Sequence, residues 1–309
     1  MTYRKVTRYV PGEDGTRIAY HTHLGVDPDI TDEAALRGRP AVVLTSGIGT
    51  TENFWRYLVE TLTPEHRVVH WDYRGHGSSD TAKGGDYSVA TQVDDLERVT
   101  QEAIAHGDGR TPPLHVAFSM GVSVLLELYR RSPQLVPAMV LVAGAAEAPG
   151  TGALPFRIPG SMAALRRGMK LLTPAVPALA PAVFAFIASP LLYPLGRLTG
   201  VLRPRAPRSD IEHFMRELGR MDPMAFWQTL QGLMAVDATA VLPTVSVPVL
   251  IVAPTHDLMM PVSQVEKLHR AIPGAQLLKV EDAGHAGLLE AGTEVATAIR
   301  EFLRPLAGG

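Results

Sequence analysis

The ten residues "HVAFSMGVSV", His115–Val124, join two kinds of pattern. Up to Phe118 the run is apolar and carries a β-branched valine, as a buried strand does; from Met120 the apolar residues recur at helical spacing. Ser119 stands at the junction, with Ala117 two residues before it and Gly121 two after it. A strand that turns at once into a helix brings backbones close together, so small neighbours are needed. The turn holds its central side chain up and exposed, and the helix that follows aims free N–H groups at the same spot. Such a spot stabilises a developing negative charge.

Outward from this stretch, strand-like and helix-like segments alternate. Strands are predicted over 15–24, 41–47, 66–75, 113–118, 137–146, 247–257 and 275–285. Helices are predicted over 51–62 with Thr51 as N-cap, 88–107 with Ser88 as cap and Gly107 as stop, 120–133, 263–272 and 293–306. Residues 26–40 are polar and turn-rich and read as an exposed excursion. Continuous apolar strands between helices indicate an α/β fold, with a mostly parallel central sheet covered by helices on both faces. The alternation breaks between 147 and 244, where Pro, Ala, Leu and Met dominate. The expected organisation is a core domain made of 1–146 and 245–309, with a helical cap inserted at 147–244 over one end of the sheet.

Composition narrows the function classes. The chain has 309 residues, 46% hydrophobic and 19% charged, with a formal net charge of −2. A sizeable core follows, and nothing global favours nucleic acid or an anionic surface as partner. Cysteine is absent, which excludes disulfides, zinc–thiolate sites and a cysteine nucleophile, and fits a cytoplasmic location. The N-terminal residues lack the apolar centre of a signal peptide. Residues 171–196 carry no charge and are long enough to span a bilayer, but five prolines interrupt them. They read as several short apolar helices, and membrane contact is not expected.

A serine hydroxyl becomes a nucleophile only with a base in hydrogen-bond reach and an acid that orients the base. Both stand at later strand ends. Asp257 closes "VLIVAPTHD" and His285 closes "LLKVEDAGH". The chain order Ser, Asp, His is that of the nucleophile-elbow fold. His256 and Asp282 compete for the supporting roles. A base that needs orienting favours the carboxylate at 257, and Asp282 lies only three residues before His285. Because the base must be a neutral imidazole, activity is expected to fall on acidification.

"FSMG" (118–121), "SGIG" (46–49), "WDYRGHGSSD" (71–80), "THDLMMP" (255–261) and "DAGH" (282–285) together resemble the α/β-hydrolase superfamily, in its serine-nucleophile, esterase- and lactonase-like branch. The resemblance implies an α/β-hydrolase fold and an oxyanion hole made by the backbone N–H groups of Ile48 and Met120. Two positions depart from the family pattern. Ala117 replaces the first glycine of Gly-x-Ser-x-Gly, and Ser46–Gly47 replaces a histidine–glycine pair. Gly47, Phe54, Trp55 and His76 are candidate pocket residues, although Phe54 and Trp55 also suit core packing. Asp72 and Arg74 read as a structural ion pair. "DYRGHGSSD" lacks the Lys-Ser/Thr of a phosphate loop, and no His/carboxylate cluster shows metal-ligand spacing.

The expected function is therefore a serine hydrolase that cleaves a carboxylic ester, lactone or thioester with an apolar acyl or aromatic part. It works through an acyl-enzyme and needs no metal or organic cofactor. Met162, Met169, Met215, Met221, Met224 and Met234 supply adaptable apolar surface in the cap for a small hydrophobic substrate. The same frame can serve carbon–carbon bond hydrolysis or cofactor-free haloperoxidase or perhydrolase chemistry. It can also serve non-enzymatic binding of a small ligand.

Overall fold

Eight strands form one sheet in the order β1-β2-β4-β3-β5-β6-β7-β8. They are β1 Tyr3–Pro11, β2 Arg17–Gly25, β3 Ala41–Thr45, β4 Arg67–Trp71, β5 Leu114–Phe118, β6 Met139–Val142, β7 Val249–Pro254 and β8 Gln276–Val280. The computed structural model describes residues 3–25, 38–148 and 161–306; the 26–37 part of the expected excursion and residues 149–160 of the expected cap lie outside them. From β4 to β8 all neighbours run parallel, while β1 and β2 are antiparallel. Every residue of β3 to β7 is buried. That is the pattern of strands covered on both faces.

Successive side chains point to opposite faces of the sheet, and two cores result. Val43, Val69, Ala117, Leu141 and Ile251 face one side, where Val93, Leu96, Leu125 and Val265 of the helices Val89–Ala105, Met120–Arg131 and Val262–Ala271 pack on them. Val42, Leu44, Val116, Val140 and Val252 face the other side, against Leu58, Leu62, Val295 and Ile299 of the helices Arg56–Leu62 and Gly292–Leu303. Ser88 caps its helix by accepting the Thr91 N–H at 3.3 Å. Thr51 makes no side-chain cap, because a 3₁₀ turn over Glu52–Trp55 precedes the helix there.

Strand β1 had no counterpart in the expected elements. Its residues are mostly polar and five of the nine are exposed. It is held by a continuous antiparallel register with β2, from Tyr3 opposite Gly25 to Pro11 opposite Arg17, rather than by apolar patterning of its own.

Between β6 and β7 the chain forms the helices Ser161–Leu172, Val176–Ile187, Leu192–Thr199, Arg208–Leu218 and Pro223–Leu233. Ser161–Ile187 is apolar and long enough to cross a membrane by length and composition alone. A 3₁₀ turn at Thr173–Ala175 divides it into two helices of 12 residues. Each is about 18 Å long, short of the roughly 30 Å hydrocarbon core. Asp210 fastens this region to the core: its carboxylate accepts from Arg56 and, at 3.0 Å, from the Tyr57 hydroxyl, and its carbonyl accepts from Asn53.

Candidate active site

Ser119 has φ 53°, one of three non-glycine residues with positive φ among those described. This strained turn between β5 and the helix Met120–Arg131 is held from below, where the Ser119 N–H donates to the Val142 carbonyl at 2.9 Å. Gly121 is there for space. A Cβ at that position would lie 2.4 Å from the Thr45 carbonyl oxygen. Ala117 pairs between Thr45 and Leu141 inside the sheet, where its methyl is fully buried.

The three side chains separated in sequence meet. His285 Nε2 lies 3.0 Å from Ser119 Oγ, and His285 Nδ1 lies 2.7 Å from Asp257 Oδ2. Asp257 can only accept when ionised, so Nδ1–H donates to it and Nε2 is left to accept from the serine hydroxyl. The second oxygen, Asp257 Oδ1, accepts the N–H groups of Met259 at 2.8 Å and Met260 at 2.7 Å. The carboxylate is fully buried, whereas the imidazole is 18% exposed and open to a substrate. The Phe118 ring packs against the imidazole at 5.1 Å between centroids. The competing residues sit elsewhere: His256 Nδ1 pairs with Thr255 Oγ1, and Asp282 pairs with Arg203.

The loop after β3 packs directly on the elbow. A Cβ on Gly47 would lie 3.0 Å from both the Phe118 ring and Ser119 Cβ. The loop is fixed by Thr50 Oγ1 donating to the Gly47 carbonyl at 2.8 Å and by the Tyr73 hydroxyl donating to the Ser46 carbonyl at 2.8 Å. Among the described residues, the N–H groups of Ile48 and Met120 donate to no other backbone or side-chain group. Above the loop, Leu218 of the helix Arg208–Leu218 and Phe226 of the helix Pro223–Leu233 come within contact of Gly49.

The candidate pocket residues divide. Trp55 is fully buried and donates from Nε1 to Ser46 Oγ at 2.9 Å, so it props up the loop from the core side. Phe54 is 3% exposed and packs between Phe118, tilted by 32°, and Phe214, edge-on at 65°. His76 is buried, with Nδ1 on the Arg74 carbonyl, and lines a 170 Å³ cavity with Gly49, Thr51 and Met221. Burial holds its imidazole down at about 4. Asp72 and Arg74 do not form the expected ion pair. Arg74 binds Asp95 through two hydrogen bonds of 2.9 Å and also reaches Asp14, while Asp72 accepts from His21 and from the Ser78 N–H.

One residue of the site escaped the sequence reading. Glu290 is 4% exposed, and its carboxylate accepts the N–H groups of Gly284, beside His285, and of Arg203, between the helices Leu192–Thr199 and Arg208–Leu218. Its signal was a lone acid within the apolar run "AGLLEAG".

The fold and this constellation define an α/β hydrolase. The chain belongs to the alpha/beta hydrolase family, whose model matches residues 42–298. Its function is thus of the hydrolytic class. A relative from Klebsiella pneumoniae (strain 342), titled "Putative carbamate hydrolase RutD", is 29% identical over 252 residues, covering 81% of this chain and 85% of the relative. Among solved structures, an esterase from Exiguobacterium antarcticum superposes with a TM-score of 0.76 at 19% identity, covering 97% of this chain and 100% of that one. A bromoperoxidase from Bacillus anthracis gives 0.73 at 17% identity, with the same coverage. These structural likenesses speak for the fold.

Proposed function

We propose that the chain is a serine hydrolase that cleaves a carboxylic ester, lactone or thioester whose acyl or aromatic part is apolar. One observation carries the reading: the His285 imidazole bridges the Ser119 hydroxyl and a buried carboxylate. Ser119 Oγ attacks the carbonyl carbon as its proton passes to His285 Nε2. Asp257 keeps the imidazole in the required tautomer and stabilises its charged form. The N–H groups of Ile48 and Met120 bind the oxyanion, as fixed donors aimed where the charge develops. His285 then gives its proton to the leaving alcohol or thiol. In the second half it takes a proton from water, the hydroxide adds to the acyl carbon, and the Ser119–acyl bond breaks as the proton returns to Oγ.

The apolar preference rests on what surrounds the site. Leu218 and Phe226 stand over the loop at Gly49, Phe118 flanks the imidazole, and exposed Leu258 and Met259 follow Asp257. Residues 147–244 act as the cap in this reading, and the protein works in the cytoplasm. A non-enzymatic ligand carrier has no need of a strained serine aligned with a base.

The test is labelling by a fluorophosphonate probe, followed by rates on p-nitrophenyl esters of increasing acyl length. Labelling of the parent and none of Ser119→Ala is expected, with kcat/KM rising from acetate to octanoate. An unlabelled parent, or turnover confined to highly charged esters, overturns the proposal.

A further inference from the structure

A second polar cluster sits at the antiparallel edge of the sheet. The β2–β4 register places His21 directly opposite His70. Because side chains alternate, His23 shares that face with His21, and Asp72 shares it with His70. All four are buried, between 0% and 5% exposed. The His21 and His70 rings stack at 5.3 Å and 17°, so their edges meet the same carboxylate. Such a concentration of imidazole and carboxylate is costly without a partner for each nitrogen. Yet neither nitrogen of His70 makes a hydrogen bond within the described residues.

The separations suit a cation. A tetrahedral ion with bonds of about 2.0–2.1 Å to nitrogen or oxygen sets its donors about 3.3 Å apart. His21 Nε2 is 3.0 Å from Asp72 Oδ2, and His70 Nε2 is 3.4 Å from Asp72 Oδ1. The donor atoms of the three residues all lie within 4.8 Å of one another. The supporting contacts are also in place. An ion would displace the hydrogen bond from His21 Nε2 to Asp72; Thr7 Oγ1, 2.9 Å from His21 Nδ1, can then take that ring's N–H and leave a lone pair on Nε2 for the ion. The Ser78 N–H fixes the Asp72 carboxylate at 2.8 Å. A cavity of about 520 Å³ reaches all three residues and is lined further by Tyr3, Lys5 and Glu52.

The geometry points to a binding site for one divalent transition ion of the zinc class, held by His21 Nε2, His70 Nε2 and the Asp72 carboxylate, with its remaining position open to that cavity. Two imidazoles and one carboxylate select such ions over calcium or magnesium, which prefer oxygen alone. The site is independent of the role given to Ser119.

Equilibrium dialysis of the chelator-stripped full chain against zinc chloride, with elemental analysis, tests it. One zinc per chain is expected in the parent and equally in Ser119→Ala and His285→Ala. Affinity should fall at least about 100-fold in His70→Phe and roughly 10-fold in Thr7→Val, the scale of supporting contacts to metal ligands. Cobalt(II) should give visible absorption bands that His70→Phe abolishes. Circular dichroism and fluorophosphonate labelling report folding, and Thr7→Val keeps the test open should the core variant misfold. Absence of stoichiometric zinc, or zinc retained equally in both variants, overturns the site.

A separate observation concerns the cap. Of the twelve large apolar side chains exposed among the described residues, nine lie between Leu171 and Val201, including Leu171 at 82%, Leu179 at 63% and Leu198 at 85%. Residues 148–209 hold eight Lys/Arg and no Asp/Glu, while the rest of the chain holds 21 Lys/Arg against 31 Asp/Glu. An apolar surface within a basic segment fits an anionic lipid surface. A second copy fits worse. Pairing this face with itself opposes like charges, and outside it, among the described residues, only Tyr9, Leu258 and Met259 are exposed large apolar residues. We infer that the cap rests on anionic membranes without spanning them, which revises the expectation drawn from the prolines. The chain should float with phosphatidylcholine/phosphatidylglycerol vesicles and not with phosphatidylcholine alone. Partitioning should drop at least about 10-fold in Leu179→Ser/Phe186→Ser and in Arg167→Glu/Lys170→Glu. No flotation, or a concentration-dependent dimer lost in the same variants, overturns the inference.

Discussion

Glu290 Oε1 accepts the backbone N–H of Arg203 at 2.9 Å, so the segment inserted between β6 and β7 shares one buried carboxylate with the loop that carries His285. The Arg203 side chain adds a second tie by pairing with Asp282, three residues before the histidine. The position of the imidazole is therefore set partly from the segment between β6 and β7. Glu290→Ala leaves the buried Gly284 N–H without an acceptor, at about 1–3 kcal/mol, and frees the half-buried Arg203 N–H as well. The expected outcome is a urea midpoint lowered accordingly and a kcat about 10-fold down with KM little changed. Glu290→Gln, which keeps one acceptor oxygen, should recover part of both. Unchanged kcat in a folded Glu290→Ala protein removes the positioning role.

Gly47 has no room for a side chain. A Cβ there meets the Phe118 ring and Ser119 Cβ at 3.0 Å, closer than ordinary van der Waals contact. Gly47→Ala must push the loop away from the elbow and carry the Ile48 N–H with it. Loss of one oxyanion donor costs on the order of 10²–10³ in turnover. A fall of about 100-fold in kcat is expected, with stability reduced by no more than a buried overpacking of about 1–3 kcal/mol. Wild-type kcat would take Ile48 out of the oxyanion hole.

Arg74 and Asp95 test the opposite case, a buried pair whose job is architectural. Their side chains are 1% and 0% exposed and joined by two hydrogen bonds. Removing Asp95 leaves the buried guanidinium only Asp14 and the Asp86 carbonyl, each at 3.2 Å, at a cost of up to about 3–5 kcal/mol. Asp95→Ala should lower the denaturation midpoint steeply, while the kcat per folded molecule stays within about twofold of the parent. A large kcat effect at full folding would bring this turn into the chemistry.

The parts that were legible in the sequence share one property: each is announced by its own local pattern. The elbow at Ser119 shows as a strand meeting a helix, and Asp257 and His285 show as polar residues closing apolar strands. The fold followed from the alternation, because strands buried on both faces need continuous apolar runs. Contacts set by antiparallel register were not legible. His21 and His70 face each other only because β2 pairs with β4 in a particular register, and they are 49 positions apart in the chain. The real partner of Arg74 is likewise on a helix 21 residues later, not the neighbouring Asp72. Strand β1 has too little apolar surface to declare itself. Phe54 and Trp55 could line a pocket or fill a core from spacing alone, and the packing of the 3₁₀ turn Glu52–Trp55 decided for the core.

His115 makes stability depend on acidity in a way that Ser119 chemistry does not. It lies fully buried in β5, with Nε2 on the Leu135 carbonyl at 3.1 Å. Burial, opposed only by that hydrogen bond, pushes its imidazole down to about 4. In the unfolded chain a histidine titrates near about 6.5. Between these values the unfolded state binds a proton that the folded state refuses, so stability falls as the solution is acidified. The contribution is complete above about pH 6.5, is lost progressively down to about pH 4, and amounts to roughly 2 kcal/mol by pH 5. In urea melts at pH 7.5 and pH 5, the parent should therefore lose about 2 kcal/mol more than His115→Gln, which keeps a donor for the Leu135 carbonyl but cannot titrate. The other buried histidines titrate alike in both proteins and cancel in this difference. Equal losses in the two proteins would show that residue 115 takes up no proton on unfolding.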